Sequence, residues 1–193
     1  MKNKIILIGG GGHCHSVIDV VELAAEYEIV GVIDQADKVG TNVMSYPVIG
    51  TDDDLAAMIY DVKYAFITLG QIKTATIRKS LFEKLISLGY EVPNIISPLA
   101  HVSKSAKLGR GNFIGHQAIV NAKAVINDNC IINTKALIEH DVNIDSHCHI
   151  ATGAIINGGC SIQSEVFVGS AATTRQGAII DSKSFIKAGS VVK

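Results

Sequence analysis

From Ile96 to Val192 every sixth residue is aliphatic, and only Thr174 breaks a register of seventeen positions. The register runs Ile96, Val102, Leu108, Ile114, Val120, Ile126, Ile132, Ile138, Ile144, Ile150, Ile156, Ile162, Val168, Thr174, Ile180, Ile186 and Val192. Four residues after each comes a compact side chain, such as Ala118, Ala124, Cys130, Ala136, Cys148 or Cys160, with Asn112 the one outlier. An α-helix repeats every 3.6 residues and cannot hold a period of six on one face. A stacked parallel β-helix can. Each hexad then supplies a short strand and a corner, and three hexads close a triangular coil. The next coil stacks on it at roughly 4.8 Å. The segment holds about five such coils, none able to bury its inner face alone.

The first ninety-five residues follow another rule. Lys4 to Gly9 reads as a buried strand, Gly9-Gly10-Gly11-Gly12 as a turn, and Val17 to Leu23 as an apolar-periodic helix. Glu28 to Asp34 and Tyr46 to Gly50 read as further strands. Asp52-Asp53-Asp54 is suited to cap a following helix, and Tyr64 to Gly70 precedes a helix around Thr74 to Leu88. Strands alternating with helices predict an α/β domain with a small, Rossmann-like parallel sheet. Its default ligand site is the crevice at the turns after Gly9, Asp34 and Gly70. With Pro93 and Pro98 bracketing the passage into the coils, the boundaries are 1–95 and 96–193.

The glycine turn departs from a dinucleotide fingerprint, which would need glycine where this chain has Cys14. Nicotinamide binding is disfavoured. What remains is a turn at a helix N-terminus whose amides suit an anion or a sugar-nucleotide; a tight strand-to-helix turn with no ligand is the bland alternative.

Composition narrows the picture. The formal charge of -1 with scattered Lys and Arg leaves no electrostatic footprint for nucleic acid or an acidic membrane. Apolar runs such as Ile5 to Ile8 are far shorter than the roughly twenty residues of a membrane span, and no signal-peptide core is visible, so a cytoplasmic protein is expected. Three of the four cysteines, Cys130, Cys148 and Cys160, occupy compact hexad slots and are expected to pack as free thiols. His147-Cys148-His149 offers no convergent ligand set with its cysteine turned inward, so no metal is expected.

The coil histidines His140, His147 and His149 lie within ten residues, expected to meet at one corner, and His140 stands between Glu139 and Asp141. A carboxylate beside an imidazole can orient it and favour its protonated form, as a general base needs. From spacing alone, a catalytic His140 and a merely solvated one are both open. His116 and His101 lack an adjacent acid and read as structural.

Gly9-Gly10-Gly11-Gly12-His13 after the first strand, Asp34 after the second, Thr68-Leu69-Gly70 after the fourth and Asn133 to Asp141 in the coils, taken together, resemble the sialic acid O-acetyltransferase family. That family includes bacterial acetyltransferases acting on UDP-linked 4-amino sugars. The resemblance spans nearly the whole chain and implies a left-handed β-helix of hexapeptide repeats, assembled as a homotrimer with active sites between adjacent subunits. It implies His140 as general base and Asp141 as its acid partner. His149, Gly158, Ser170 and Ala188 match positions along the acetyl-CoA channel, the Gly158 amide facing the thioester oxygen. Gly11, Gly12, His13, Asp34, Gln35 and Gly70 match positions that hold the nucleotide-sugar. Cys14 and His15 replace a smaller pair in relatives, Gln35 stands where an acid can occur, and relatives usually continue beyond Val192 into a segment that closes the last coil.

The expected activity is therefore acetyl transfer from acetyl-CoA to an amino group of a nucleotide-linked sugar, in bacterial glycan biosynthesis, by direct attack with His140 as base. O-acetylation of sialic acid or another sugar hydroxyl is the alternative within enzymes. A trimeric sugar-nucleotide-binding scaffold is the alternative without catalysis.

Overall fold

The computed structural model describes residues 2–192. They form two compact units. The first holds the chain through Gly70 together with Ile77–Pro93, and the second holds Gln71–Thr76 together with everything from Asn94 onward.

The first unit is an α/β layer. Strands β1 (Asn3–Ile8), β2 (Tyr27–Ile33), β3 (Asn42–Val43), β4 (Tyr46–Gly50) and β5 (Tyr64–Ile67) form one sheet in the order β3-β4-β2-β1-β5. It is parallel except where the short β3 runs against β4. Helix α1 (Gly12–Ala24) buries Cys14, Val17, Ile18 and Val21, the i, i+3, i+4, i+7 stripe of an amphipathic helix. It ends where Ala25 turns left-handed and donates its N–H to Val21 O at 3.0 Å. Helix α2 (Leu55–Met58) is a single turn. The expected side-chain cap by the acidic run is not formed there. Asp54 instead turns back to accept the Thr51 N–H and hydroxyl at 2.8 and 3.1 Å, bracing the preceding turn. Helix α3 (Thr76–Leu88) closes the layer with Arg78, Leu81, Phe82 and Leu85 buried.

The second unit is the left-handed parallel β-helix. Its two-residue strands pair eighteen residues apart on three faces. One face stacks His101, Ile119, Leu137 and Ile155; a second stacks Lys107, Val125, Asn143 and Ser161; the third stacks Phe113, Ile131, His149 and Phe167. The hexad aliphatics from Ile114 to Ile180 and the compact residues between them form one continuous core. Thr174, the polar exception, is buried with them. The cysteines in compact slots add weak thiol bonds to carbonyls fifteen residues on. Cys130 donates to Asp145 O at 3.2 Å, Cys148 to Gln163 O at 3.0 Å and Cys160 to Arg175 O at 3.1 Å.

Every corner from Gly111 to Gly189 carries a left-handed residue, again at a period of six; Gln117, Lys123, Asn129, Lys135, Asp141 and His147 are among them. For a non-glycine residue this conformation costs about 1–2 kcal/mol. Ladder bonds offset it, because from Asn129 onward these amides reach a carbonyl nineteen residues earlier, as Asp141 N–H does Ala122 O at 3.1 Å and His147 N–H does Asp128 O at 2.9 Å, while the Lys123 N–H takes the Ser105 hydroxyl at 3.1 Å.

Candidate active site

The coil site is built at the corner between strands Leu137–Ile138 and Asn143–Ile144. Ile138 and Val142 point into the core, which leaves Glu139, His140 and Asp141 outside. The left-handed turn at Asp141 (φ 58°) brings its carboxylate back along the chain, and Oδ2 lies 2.9 Å from His140 Nδ1. An imidazole whose Nδ1–H donates to a carboxylate carries its lone pair on Nε2. Nε2 has no hydrogen bond among the described residues, and the His140 side chain is half exposed. Glu139 plays another part. Its Oε2 accepts the Asn121 side-chain amide at 3.1 Å and the His140 N–H at 3.3 Å, tying the corner to the coil beneath.

Gly158 occupies the same corner one coil on. Its Cα faces the His140 ring so closely that a β-carbon there would lie 2.8 Å from both Cε1 and Nε2. The Gly158 N–H finds no acceptor among the described residues, so a donor and the open imidazole nitrogen sit together on one corner. Such a pair can accept a proton at Nε2 and stabilise negative charge at the amide.

The other sequence-predicted coil residues lie elsewhere in the chain. His149 is on the third face and 7% exposed, its Nδ1 donating to Gln71 O at 2.5 Å and its Nε2 3.3 Å from the Asn133 amide nitrogen. Its ring stands edge-on to Phe167 at 5.2 Å. Ser170 and Ala188 stack, exposed, at the corner that precedes the first face, where Gly189 donates to Ser170 O at 2.8 Å. The expectation that His140 and His147 meet at one corner is corrected. Seven residues is one residue more than a hexad, which carries His147 past the second face to the next corner, where its Nδ1 is 3.0 Å from Asn129 Nδ2.

In the first unit the three turns do converge. Asp34 Oδ2 accepts the Gly10 N–H and Oδ1 the Gln35 N–H, both at 2.8 Å, and Lys38 reaches both oxygens at 3.3 Å. Burial alone would raise the Asp34 pKa; the two amides and the ammonium outweigh it and hold the carboxyl below its ordinary value. Thr68 donates to Gly9 O at 2.5 Å, and a β-carbon at Gly70 would touch His13 Cβ at 3.7 Å. Gly11 and Gly12 are exposed, with open space where side chains would stand. Cys14 is buried, and that burial pushes its thiol up to about 11.

Sequence reasoning passed over Arg78. It is 2% exposed, and its Nη1 donates to Ile67 O at 2.7 Å and Leu69 O at 2.9 Å, fixing the turn that ends in Gly70. The signal was available: Arg78 falls on the helix face of Leu81, Phe82 and Leu85. Among the described residues no group of acidic, histidine or cysteine side chains is arranged to hold a metal, and no helix is long and apolar enough to cross a membrane.

Known proteins share this fold. The acetyltransferase domain of PglB from Neisseria gonorrhoeae FA1090 is 31% identical, with all of this chain and 92% of that one covered at a TM-score of 0.92. The chain belongs to its family, the bacterial sugar acetyltransferases. A second structure of the same domain, in complex with acetyl coenzyme A, aligns at a TM-score of 0.90 and 30% identity over all of this chain and 93% of that one. Within the family, residues 4–85 match the PglD N-terminal domain. Perosamine N-acetyltransferase from Caulobacter crescentus, in a histidine-to-asparagine variant complexed with CoA and GDP-perosamine, aligns at 0.71 with 26% identity, over 98% of this chain and 92% of that one. An uncharacterized protein of Acanthamoeba polyphaga mimivirus is 32% identical over 111 residues, 58% of this chain; the chain spans about a fifth (21%) of that relative's length.

Proposed function

We propose that this chain transfers acetyl from acetyl-CoA to an amino group of a nucleotide-linked sugar, of the UDP-4-amino-sugar type, by direct attack. The observation that carries the reading is the His140–Asp141 contact of 2.9 Å beneath an unengaged Nε2, with the Gly158 amide beside it. The acceptor nitrogen attacks the thioester carbonyl carbon while His140 Nε2 takes its proton. The oxyanion that forms accepts the Gly158 N–H. As it collapses the C–S bond breaks, and the CoA thiolate takes the proton back from the imidazolium. Asp141 holds the ring in the tautomer this requires, with its carboxylate against Nδ1 throughout the transfer. No cysteine is acylated, consistent with four buried thiols.

His149, Ser170 and Ala188 are assigned to the acetyl-CoA channel; Gly11, Gly12, His13, Asp34, Gln35 and Gly70 are assigned to the nucleotide-sugar. Because His149, Ser170 and Ala188 lie away from the His140 corner of their own protomer, the reading includes a homotrimer in which neighbours complete each channel. Ile119, Leu137 and Ile155, then Val191 beyond Thr173, lie along one face of the coils, a mostly apolar row suited to a second copy.

The test is release of free CoA from acetyl-CoA in the presence of UDP- and GDP-linked amino sugars, free and CMP-linked sialic acid, and matching hydroxyl sugars. Release with a nucleotide-linked amino sugar, lost in His140→Ala, supports the reading. Release only with hydroxyl acceptors moves it to O-acetylation. Silence from every acceptor, with nucleotide-sugar binding retained, makes the chain a scaffold.

A further inference from the structure

Thr174 is the one inward position of the seventeen that is not aliphatic, and it lies one coil beyond the strand that leads into Gly158. In the neighbouring coils the residue after the inward aliphatic donates to a main-chain carbonyl of the next coil: Asn121 N–H to Ile138 O and Glu139 N–H to Ile156 O, each at 2.9 Å. At Asn157 that rung is replaced. The Asn157 N–H goes to the Thr174 hydroxyl at 3.0 Å, and the Asn157 side-chain amide takes the vacated Thr174 O at 2.6 Å. Strand pairing reflects the change, for only Ile155 and Thr173 pair here, where the coils below pair two residues. The same hydroxyl lies 3.2 Å from Cys160 Sγ, at the far end of the corner. One buried side chain therefore grips both ends of the Asn157–Cys160 turn, and Gly158, which bears the His140 ring, lies between them.

We infer that Thr174, acting with Asn157, is a positioning residue for the His140 centre: it sets the main chain at Gly158 off the regular ladder and so fixes both the seat of the imidazole and the direction of the Gly158 amide. The inference rests on His140 as the base. The chemistry explains why a hydroxyl stands where the fold wants a methyl. Valine has the shape of threonine and suits a buried strand better, but it offers the Asn157 N–H nothing, so the rung reverts to the carbonyl and the corner moves.

The test is Thr174→Val beside Thr174→Ser. In Thr174→Val the melting temperature is expected to hold or rise while kcat falls about tenfold, and Thr174→Ser is expected to stay within about twofold of the parent, as for a displacement of well under an ångström. A melting temperature that falls while kcat per folded protein stays at the parent value overturns the inference. Should Thr174→Val fail to fold, Asn157→Ala removes the other arm of the bridge and is expected to lower kcat likewise; parent kcat there overturns it. A function-independent measurement separates this claim from the one beneath it. In protein carrying labelled histidine and no ligand, Thr174→Val and Asn157→Ala are each expected to shift the His140 ring resonances and leave those of exposed His101 in place, and unmoved His140 signals overturn the inference. If His140→Ala keeps full turnover, the functional reading fails while the resonances still decide the coupling.

Discussion

The His140 imidazole lies against Gly158, eighteen residues and one coil away, with no room for a β-carbon between them. Gly158 does not require glycine for its backbone, since its φ is not among the left-handed corner values. Gly158→Ala should therefore fold and melt near the parent while displacing the ring. A loss of about 10- to 100-fold in kcat is expected, with acetyl-CoA binding by calorimetry nearly unchanged. Parent kcat in that variant would mean the ring does not work from this seat.

His140→Ala should lower kcat by about 10² to 10⁴, the range for losing a general base. Asp141→Asn keeps a side chain tolerant of the left-handed corner and an oxygen facing Nδ1, but removes the charge that steadies the imidazolium. Its loss should be smaller, about tenfold. Steady-state kinetics at saturating acetyl-CoA ranks the two, and an Asp141→Asn loss as large as that of His140→Ala would give the carboxylate a direct part in the chemistry.

All four thiols are buried, and two are held in the protonated form, Cys14 by burial and Cys148 by its hydrogen-bonded neighbour Cys130 together with burial. A disulfide reagent at pH 8 should therefore find no reactive cysteine in the native protein and four after denaturation. This bears on the CoA assay, whose colour must come from CoA alone; a rapid native phase would place at least one thiol at the surface.

Asp34 is held by two amides and Lys38, and its carboxyl titrates below the ordinary value. A carboxyl of that kind contributes its full stability above the unfolded-state pKa of about 3.9 and loses it as pH falls through the lower folded value. Asp34→Asn should cost about 1–2 kcal/mol at neutral pH by urea titration. The gap between the two proteins should stay level down to about pH 4 and close below it. A gap that widens on acidification would contradict the assignment.

The sequence by itself determined the β-helix, because a period of six held over seventeen positions excludes an α-helix, is far too long for a single strand, and repeats the same inward burial at every hexad. It also determined the α/β layer, where β1, β2 and α3 lie within two residues of their predicted ranges, although α1 begins five residues before the apolar stripe that predicted it. His140 and Asp141 were legible as neighbours in the chain, but not as partners. Only the left-handed corner decides that the Asp141 carboxylate returns to Nδ1, and the same left-handed corner occurs at Lys135 and Glu165, where no histidine stands. Stacking decided the rest. Gly158 meets His140, Asn121 meets Glu139, and Thr174 meets Asn157 across coil spacings of seventeen or eighteen residues, so their chemistry depends on which amide, hydroxyl or missing β-carbon the next coil presents. A linear pattern fixes how often an inward side chain recurs; the distance between two side chains on adjacent coils is set by the ladder that joins them.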